Sequence, residues 1–393
     1  MVTIQSAENA LKSVYLGVIA NQLNTKANPL LAKIKQSDAN IWGKDIIKLA
    51  PFGINGGIGA GTETGALPTA AGNNYVQFKT SLKNLFGRIE ISDKAIRASA
   101  SSAGAFVNLL AEEMEGLVKA SSFNLGRMIY GDGTGALATV ASATGTAVVV
   151  DDTRNLIEGM VVDIFNVDAA VITGARIVFV DRINKTVSMD KTVETATAGA
   201  KLYVQGSKDN EITGLEAIFG TGNLYGLSRT NYPWLNPYVN NESVSMDDVT
   251  LQTTIDAIED KAGSEVDFIA CSRSARKAYQ QYLTYFRRNV DVTELAGGFK
   301  AITFNGIPVV ADRFIKDGTA YFLNTKDFTL HQLCDWQWLE GEDGKIIKQN
   351  PGFPSYNATL VKYADLVCDR PLGQAKLSNI SNTITNPYAE INS

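Results

Sequence analysis

Proton shuttling and thiolate chemistry near neutral pH rest on histidine and cysteine, and the sequence holds one histidine, His331, and three cysteines, Cys271, Cys334 and Cys368. His331 sits in Thr329-Leu330-His331-Gln332, which reads as a strand. One histidine cannot supply a His/Cys/Glu metal cluster at the usual spacings. A Ser–His–Asp triad would want a nucleophile elbow, and no GxSxG occurs. His331 is therefore expected to be structural. The cysteines are odd in number and show no CxxC spacing, so neither a disulfide framework nor a zinc site follows. They read as ordinary thiols and fit a reducing compartment.

Carboxylate pairs occur at Glu112–Glu113, Asp151–Asp152 and Asp247–Asp248. They fall on a helix face, in a turn and in the first turn of a helix, where acids favour the dipole. None is singled out as an acid/base couple. The run Gly131-Asp132-Gly133-Thr134-Gly135 lacks the further carboxylates and closing Glu of a calcium loop and reads as a helix-to-strand turn. Two basic groups, Arg273/Arg276/Lys277 and Phe286-Arg287-Arg288, read as solvated helix faces or partners for salt bridges between subunits. Residues 53–74, GINGGIGAGTETGALPTAAGNN, raise the question of a phosphate loop, but neither GxxxxGK[ST] nor GxGxxG between strand and helix is present. No catalytic, cofactor-binding or metal-binding residue is therefore assigned.

What remains is the set of elements. Apolar residues Ala7, Leu11, Val14, Tyr15, Val18, Ile19 and Leu23 predict an amphipathic helix over 5–24, packed on its own domain or on a neighbour. The glycine-rich run 53–74 cannot build a core. It leads into YVQFKTSLKNLFGRIEIS, which alternates apolar and polar residues as a strand does. Together they predict a two-stranded flap standing off the body, with few contacts to it. Phe106, Leu109, Leu110, Met114, Leu117, Val118, Leu125, Met128 and Ile129 predict a long helix over 102–130, with Ser101 or Ser102 as cap and Gly131 after its end. From Thr139 to Gln205, short Val/Ala/Thr-rich runs between Gly, Asp and Asn turns predict a small barrel or sandwich. Helix and strand then alternate. One helix is expected to be capped by Ser245 and to bury Val249, Leu251, Ile255 and Ile258, and another to be capped by Ser272. The last third is rich in strands and carries Trp336 and Trp338. The whole is of the α+β class.

Composition sets limits. With 45% hydrophobic and 20% charged residues the chain can bury a core. A net charge of −5 argues against a dedicated nucleic-acid gripping protein. No signal peptide and no long apolar span is visible, so a protein with no membrane association, made in a cytoplasm, is expected.

Against this background several phrases resemble tailed-bacteriophage major capsid proteins. IYGDGTGALATV (Ile129 to Val140) is similar to the phrase that ends the spine helix in many of them. GNLYGLSRTNYPWLNP (Gly222 to Pro237), FIACSRSARKAYQQYL and the tail around Cys368-Asp369-Arg370-Pro371 are similar to later segments, in the family's order. The resemblance spans nearly the whole chain. It implies the phage major capsid fold of the Hong Kong 97 type, with N-arm, extended β flap, long spine helix, peripheral and axial domains, plus an inserted small all-β domain. The implied boundaries are an arm at 1–50, a flap at 51–92, a peripheral domain with the spine helix at 93–134 and continuing at 211–239, and an inserted β-rich accessory domain at 135–210. An axial domain at 240–330 and a peripheral return with C-terminal tail at 331–393 complete the chain.

The resemblance further implies a non-enzymatic subunit that assembles into hexamers and pentamers of an icosahedral head around double-stranded DNA, contacted non-specifically. Portal and scaffolding proteins are its implied partners and the virion its location. The family's scaffold segment is expected to be absent before residue 1, either cleaved off or supplied separately. Some members join a flap Lys to a neighbour's Asn; Lys79, Lys83, Asn350 and Asn357 are of the right types, but no motif fixes a pairing. An encapsulin-like bacterial nanocompartment is the alternative on the same fold. A β-rich adhesin or hydrolase domain would want a secretion signal or a catalytic cluster, and neither is visible.

Overall fold

The computed structural model describes residues 28–94, 103–193, 196–285, 292–295, 299–341, 344 and 346–381. The expected helix over 5–24, the caps Ser101 and Ser102, and Phe286-Arg287-Arg288 lie outside the described residues.

The body is built on a five-stranded sheet. Its spine is the strand Ser355–Cys368, which pairs antiparallel with Phe328–Trp338 on one edge and with Lys83–Ser92 on the other. Lys35–Ser37 adds in parallel outside Phe328–Trp338. Helix α1 (Ala103–Met128) is continuous and packs on this sheet through Val118, Leu125 and Met128, while Leu117 is half-buried and Lys119 exposed. A β-carbon at Gly87 would lie 2.8 Å from Leu117 Cδ1, so glycine lets α1 approach the strand Lys83–Ser92 closely.

A seven-stranded sheet follows. At its centre Phe268–Cys271 pairs in parallel with Ile307–Ala311 and antiparallel with Ala320–Leu323. Side chains alternate across a strand, and here the two faces serve two cores. Phe268, Ala270, Tyr321 and Leu323 join the body core, while Ile269, Cys271, Ala320 and Phe322 join a second core. After the short helix α2 (Leu215–Ile218), helices α3 (Asp248–Ala262) and α4 (Arg273–Tyr285) supply that second core. The cap of α3 is Asp247, whose carboxylate accepts from Thr250 N at 2.8 Å, and not Ser245. Starting there, the helix turns Val249 outwards, contrary to expectation, while Leu251 and Ile258 are buried. Ser272 Oγ caps α4 by accepting from Ala275 N at 3.2 Å.

The Val/Ala/Thr-rich block closes into a six-stranded barrel. Its first strand, Ala136–Thr144, lies beside its last, Lys201–Val204, so the chain enters and leaves at one end. Leu137, Val148, Val162, Ile164, Ile177 and Leu202 belong to a core that shares no residue with the other two. The Asp163 carboxylate ties the barrel's rim by accepting from Gly174 N and Gly206 N at 2.8 and 2.9 Å. At the crossing, Gly135 has φ +82°, and a β-carbon there would meet Ser207 O at 2.7 Å. Only glycine fits both demands.

The flap is a ribbon of Asp45–Phe52 and Asn74–Ser81, in register from Asp45↔Ser81 to Phe52↔Asn74, around an exposed loop at 53–73. Two expectations are corrected here. The ribbon's second strand ends at Ser81, and residues 83–92 leave the flap for the body sheet, because Leu85, Gly87 and Ile89 point one way and pack beneath α1. The ribbon also makes firm contacts to the body along its inner face, where Phe78 and Ile46 are buried.

Candidate assembly surface

The ribbon's two faces differ. Ile46, Lys48, Ala50 and Phe52 with Val76, Phe78 and Thr80 point inwards. Phe52 and Phe78 stack on Trp234 at 5.5 and 5.9 Å, and Phe78 lies 5.3 Å from Tyr225. Lys79 N donates to Tyr225 O at 3.1 Å. The Tyr225 hydroxyl in turn accepts from Cys368 N at 2.8 Å. Segment 222–237 is thus the clamp that seats the flap. Arg229 sets its shape by donating to the carbonyls of Gly222 (2.7 Å), Ile218 (2.7 Å), Ala217 (3.0 Å) and Leu235. Two of these acceptors end α2, where carbonyls have no partner within the helix.

Polar contacts complete the seat. Thr80 Oγ1 donates to Asp365 Oδ2 at 2.6 Å, and Thr213 N to Asp365 Oδ1 at 2.7 Å. Asp365 is fully buried, and burial pushes its carboxyl above the ordinary range. Lys48 Nζ pairs with Asp369 at 2.5 Å.

The outer face carries Leu49 (61% exposed), Pro51 and Tyr75 (54%), with Trp42 (71%) opposite Asp45. The loop beyond adds Ile54, Ile58 and Leu67, all exposed. Exposed large apolar side chains grouped in this way are the kind of surface used for protein contacts, membrane contacts or ligand grooves.

Elsewhere the residues singled out in the sequence hold the fold. His331 is buried, its Nδ1 lies 2.9 Å from Ala39 O, and burial holds its pKa below the usual value. Facing a carbonyl, Nδ1 carries the proton and pins the turn before Ile41–Trp42 to the body sheet. Burial pushes the Cys271 thiol up to about 12 and Cys368 well above its ordinary value, while Cys334 is half-buried. Neither buried sulfur is an accessible thiolate. Asp132 Oδ1 accepts from Thr134 N and Thr134 Oγ1, closing the 131–135 turn on itself. Asp151 accepts from Thr139 N, Asp152 pairs with Arg154, and Glu113 is exposed. Among the described residues no group of three His, Cys, Asp or Glu side chains is placed to hold a metal, and no helix is long and apolar enough to cross a membrane. Lys79 pairs with Asp45 at 3.2 Å, and Lys83 Nζ donates to Asp209 O. Asn350 and Asn357 contact each other beside Glu90. No hydrogen bond joins Lys79 or Lys83 to Asn350 or Asn357. Sequence reasoning missed Arg229, Trp234 and Tyr225 as the flap's seat, although their phrase stood out.

No family model and no curated protein matches the sequence. Solved structures do. A chain of the cyanophage A-1(L) capsid asymmetric unit aligns over 97% of this chain and 99% of its own, with a TM-score of 0.56 at 14% identity. The encapsulin of the SrpI complex from Synechococcus elongatus aligns over 99% of both chains, with a TM-score of 0.48 at 10% identity. The capsid of phage XM1 aligns over 89% of this chain and 91% of its own, at 0.45 and 10%. The first of these matches carries the assignment, and at such identity it speaks to the fold alone: the chain has the fold of a phage capsid protein.

Proposed function

We propose that this chain is the major structural subunit of a tailed-phage head, assembling as hexamers and pentamers into an icosahedral shell around double-stranded DNA. In that reading α1 is the spine helix of a peripheral domain, and the seven-stranded sheet with α3 and α4 is the core of an axial domain. The barrel is an accessory insertion, and portal and scaffolding proteins are assembly partners. The observation that supports it most is the two-faced flap, clamped inside by Trp234 and apolar outside at Trp42, Leu49 and Tyr75. A closed lattice repeats the same few surfaces, so modest contacts suffice to hold the whole. Burying one such side chain against a neighbour contributes about 1.5–3 kcal/mol.

The test is to replace Trp42 and Leu49 by Asp and compare sedimentation with the parent chain. The variant is expected to keep its far-UV circular dichroism and melting midpoint while losing large assemblies. Assemblies of unchanged size and yield would remove the flap from the interface. An encapsulin-like cargo shell, the alternative on this fold, would show the same loss, and the particle's contents separate the two.

A further inference from the structure

The sequence contains two Asn-Gly steps, Asn55-Gly56 in the flap loop and Asn305-Gly306 in the seven-stranded sheet. This dipeptide has a reaction of its own. The backbone nitrogen that follows an asparagine can attack the side-chain carbonyl carbon, and glycine, with no Cβ, leaves the approach open. Both asparagines and both glycines are exposed, so access to water does not separate the two steps. Their tethering does.

Asn305 and Gly306 are the two central residues of the hairpin that joins Phe299–Phe304 to Ile307–Ala311, with Phe304 opposite Ile307. Their φ values of +48° and +81° are those of a type I′ turn. The Asn305 amide donates from Nδ2 to Gln252 Oε1, on α3, at 3.0 Å. Ring closure there would have to twist the backbone out of its turn and pull the amide away from Gln252. Asn55 is held by nothing comparable. Among the described residues, neither Asn55 nor Gly56 takes part in a backbone hydrogen bond, so rotation between them breaks none. The one tie is local: Asn55 Oδ1 accepts from Gly57 N at 2.8 Å, a side-chain turn that asparagine favours. That donor sits on the oxygen that gathers negative charge when the carbonyl carbon is attacked.

We propose that Asn55, and not Asn305, is a site of spontaneous deamidation, selected by how the fold holds the two. Gly56 N loses its proton to solvent base and bonds to Asn55 Cγ. The Cγ–Nδ2 bond breaks, Nδ2 takes up a proton and leaves as ammonia, and a five-membered succinimide remains. Water then opens the ring at either carbonyl, giving aspartate or, where the chain now runs through the side chain, isoaspartate. Either product puts a carboxylate beside the exposed Ile54 on the flap loop. The reaction does not depend on the shell reading.

The test is peptide mass mapping of the full chain held folded in mildly alkaline buffer. The Asn55 peptide is expected to deamidate about tenfold or more faster than the Asn305 peptide, the rate equivalent of one hydrogen bond to break and a turn to open. In guanidinium chloride the two rates are expected to converge. Gly56→Ala has room, since a β-carbon there would lie 3.4 Å from its nearest neighbour, Ala71 Cβ. The substitution crowds the attacking nitrogen and is expected to slow Asn55 several-fold while leaving Asn305 unchanged. An Asn55 amide that lasts as long as that of Asn305 in the folded chain, or a rate unmoved by Gly56→Ala, would overturn the proposal. So would rates that stay as far apart in the unfolded chain as in the folded one.

Discussion

Two side chains lend themselves to tests at the residue scale. Asp312 is buried, and its carboxyl is raised to about 6. An unfolded aspartate titrates near ~4. Between these values the folded chain keeps a proton that the unfolded chain has lost, so this group's contribution to stability falls as pH rises from about 4 to about 6. Asp312→Asn keeps an acceptor for Phe314 N and abolishes that titration. Urea unfolding at pH 4 and pH 7 is expected to show the variant gaining on the parent by something on the order of 2 kcal/mol between the two. An unchanged difference would mean that Asp312 is ionised at little cost. Arg229 is the second. Arg229→Met leaves the carbonyls of Ala217, Ile218, Gly222 and Leu235 without their shared donor, at a cost of about 3 kcal/mol or more by chemical denaturation. Arg229→Lys is expected to recover little, since a single ammonium cannot span the four acceptors. The phrase around Arg229 stands out in the sequence, but its partners are backbone oxygens, which leave no mark in residue identity.

At the scale of elements, periodicity locates helices and strands well and their partners poorly. The alternation in 74–81 is the same in kind as that in 83–92, yet the first strand stays in the flap and the second joins the body sheet. A two-residue period tells which face is buried and not against what. Gly87 is the available hint, a residue without a side chain on the buried face of a strand, marking the close approach of α1. Val249 shows the complementary error: apolar spacing places it inside, whereas the start of α3 at Asp248 places it outside. The barrel is easier to read, because its turns recur at short spacing. Its separate core and adjoining ends predict that residues 132–209, expressed alone, fold with a cooperative thermal transition and β-type circular dichroism. A spectrum of unordered chain would show that the body holds the barrel together.

At the scale of the molecule, the chain exposes 20437 Å², where a compact monomer of its mass would expose about 15,000 Å². The surplus fits a subunit whose flap loop and apolar outer stripe lie open. The order of elements is legible in the sequence because a glycine-rich tip, a long helix and a strand-rich block each carry their own composition and spacing, one after another. The depth to which the flap is seated is not, since Trp234 meets Phe52 and Phe78 only after distant segments fold together. The central claim is that many copies close into a shell. Electron microscopy of particles formed by the full chain, or recovered from its native source, tests this directly. The expected result is closed icosahedral shells with sixfold and fivefold clusters of subunits, enclosing double-stranded DNA when taken from the native source. Monomers or small open oligomers under every assembly condition, with no closed particle in the native source, would contradict it.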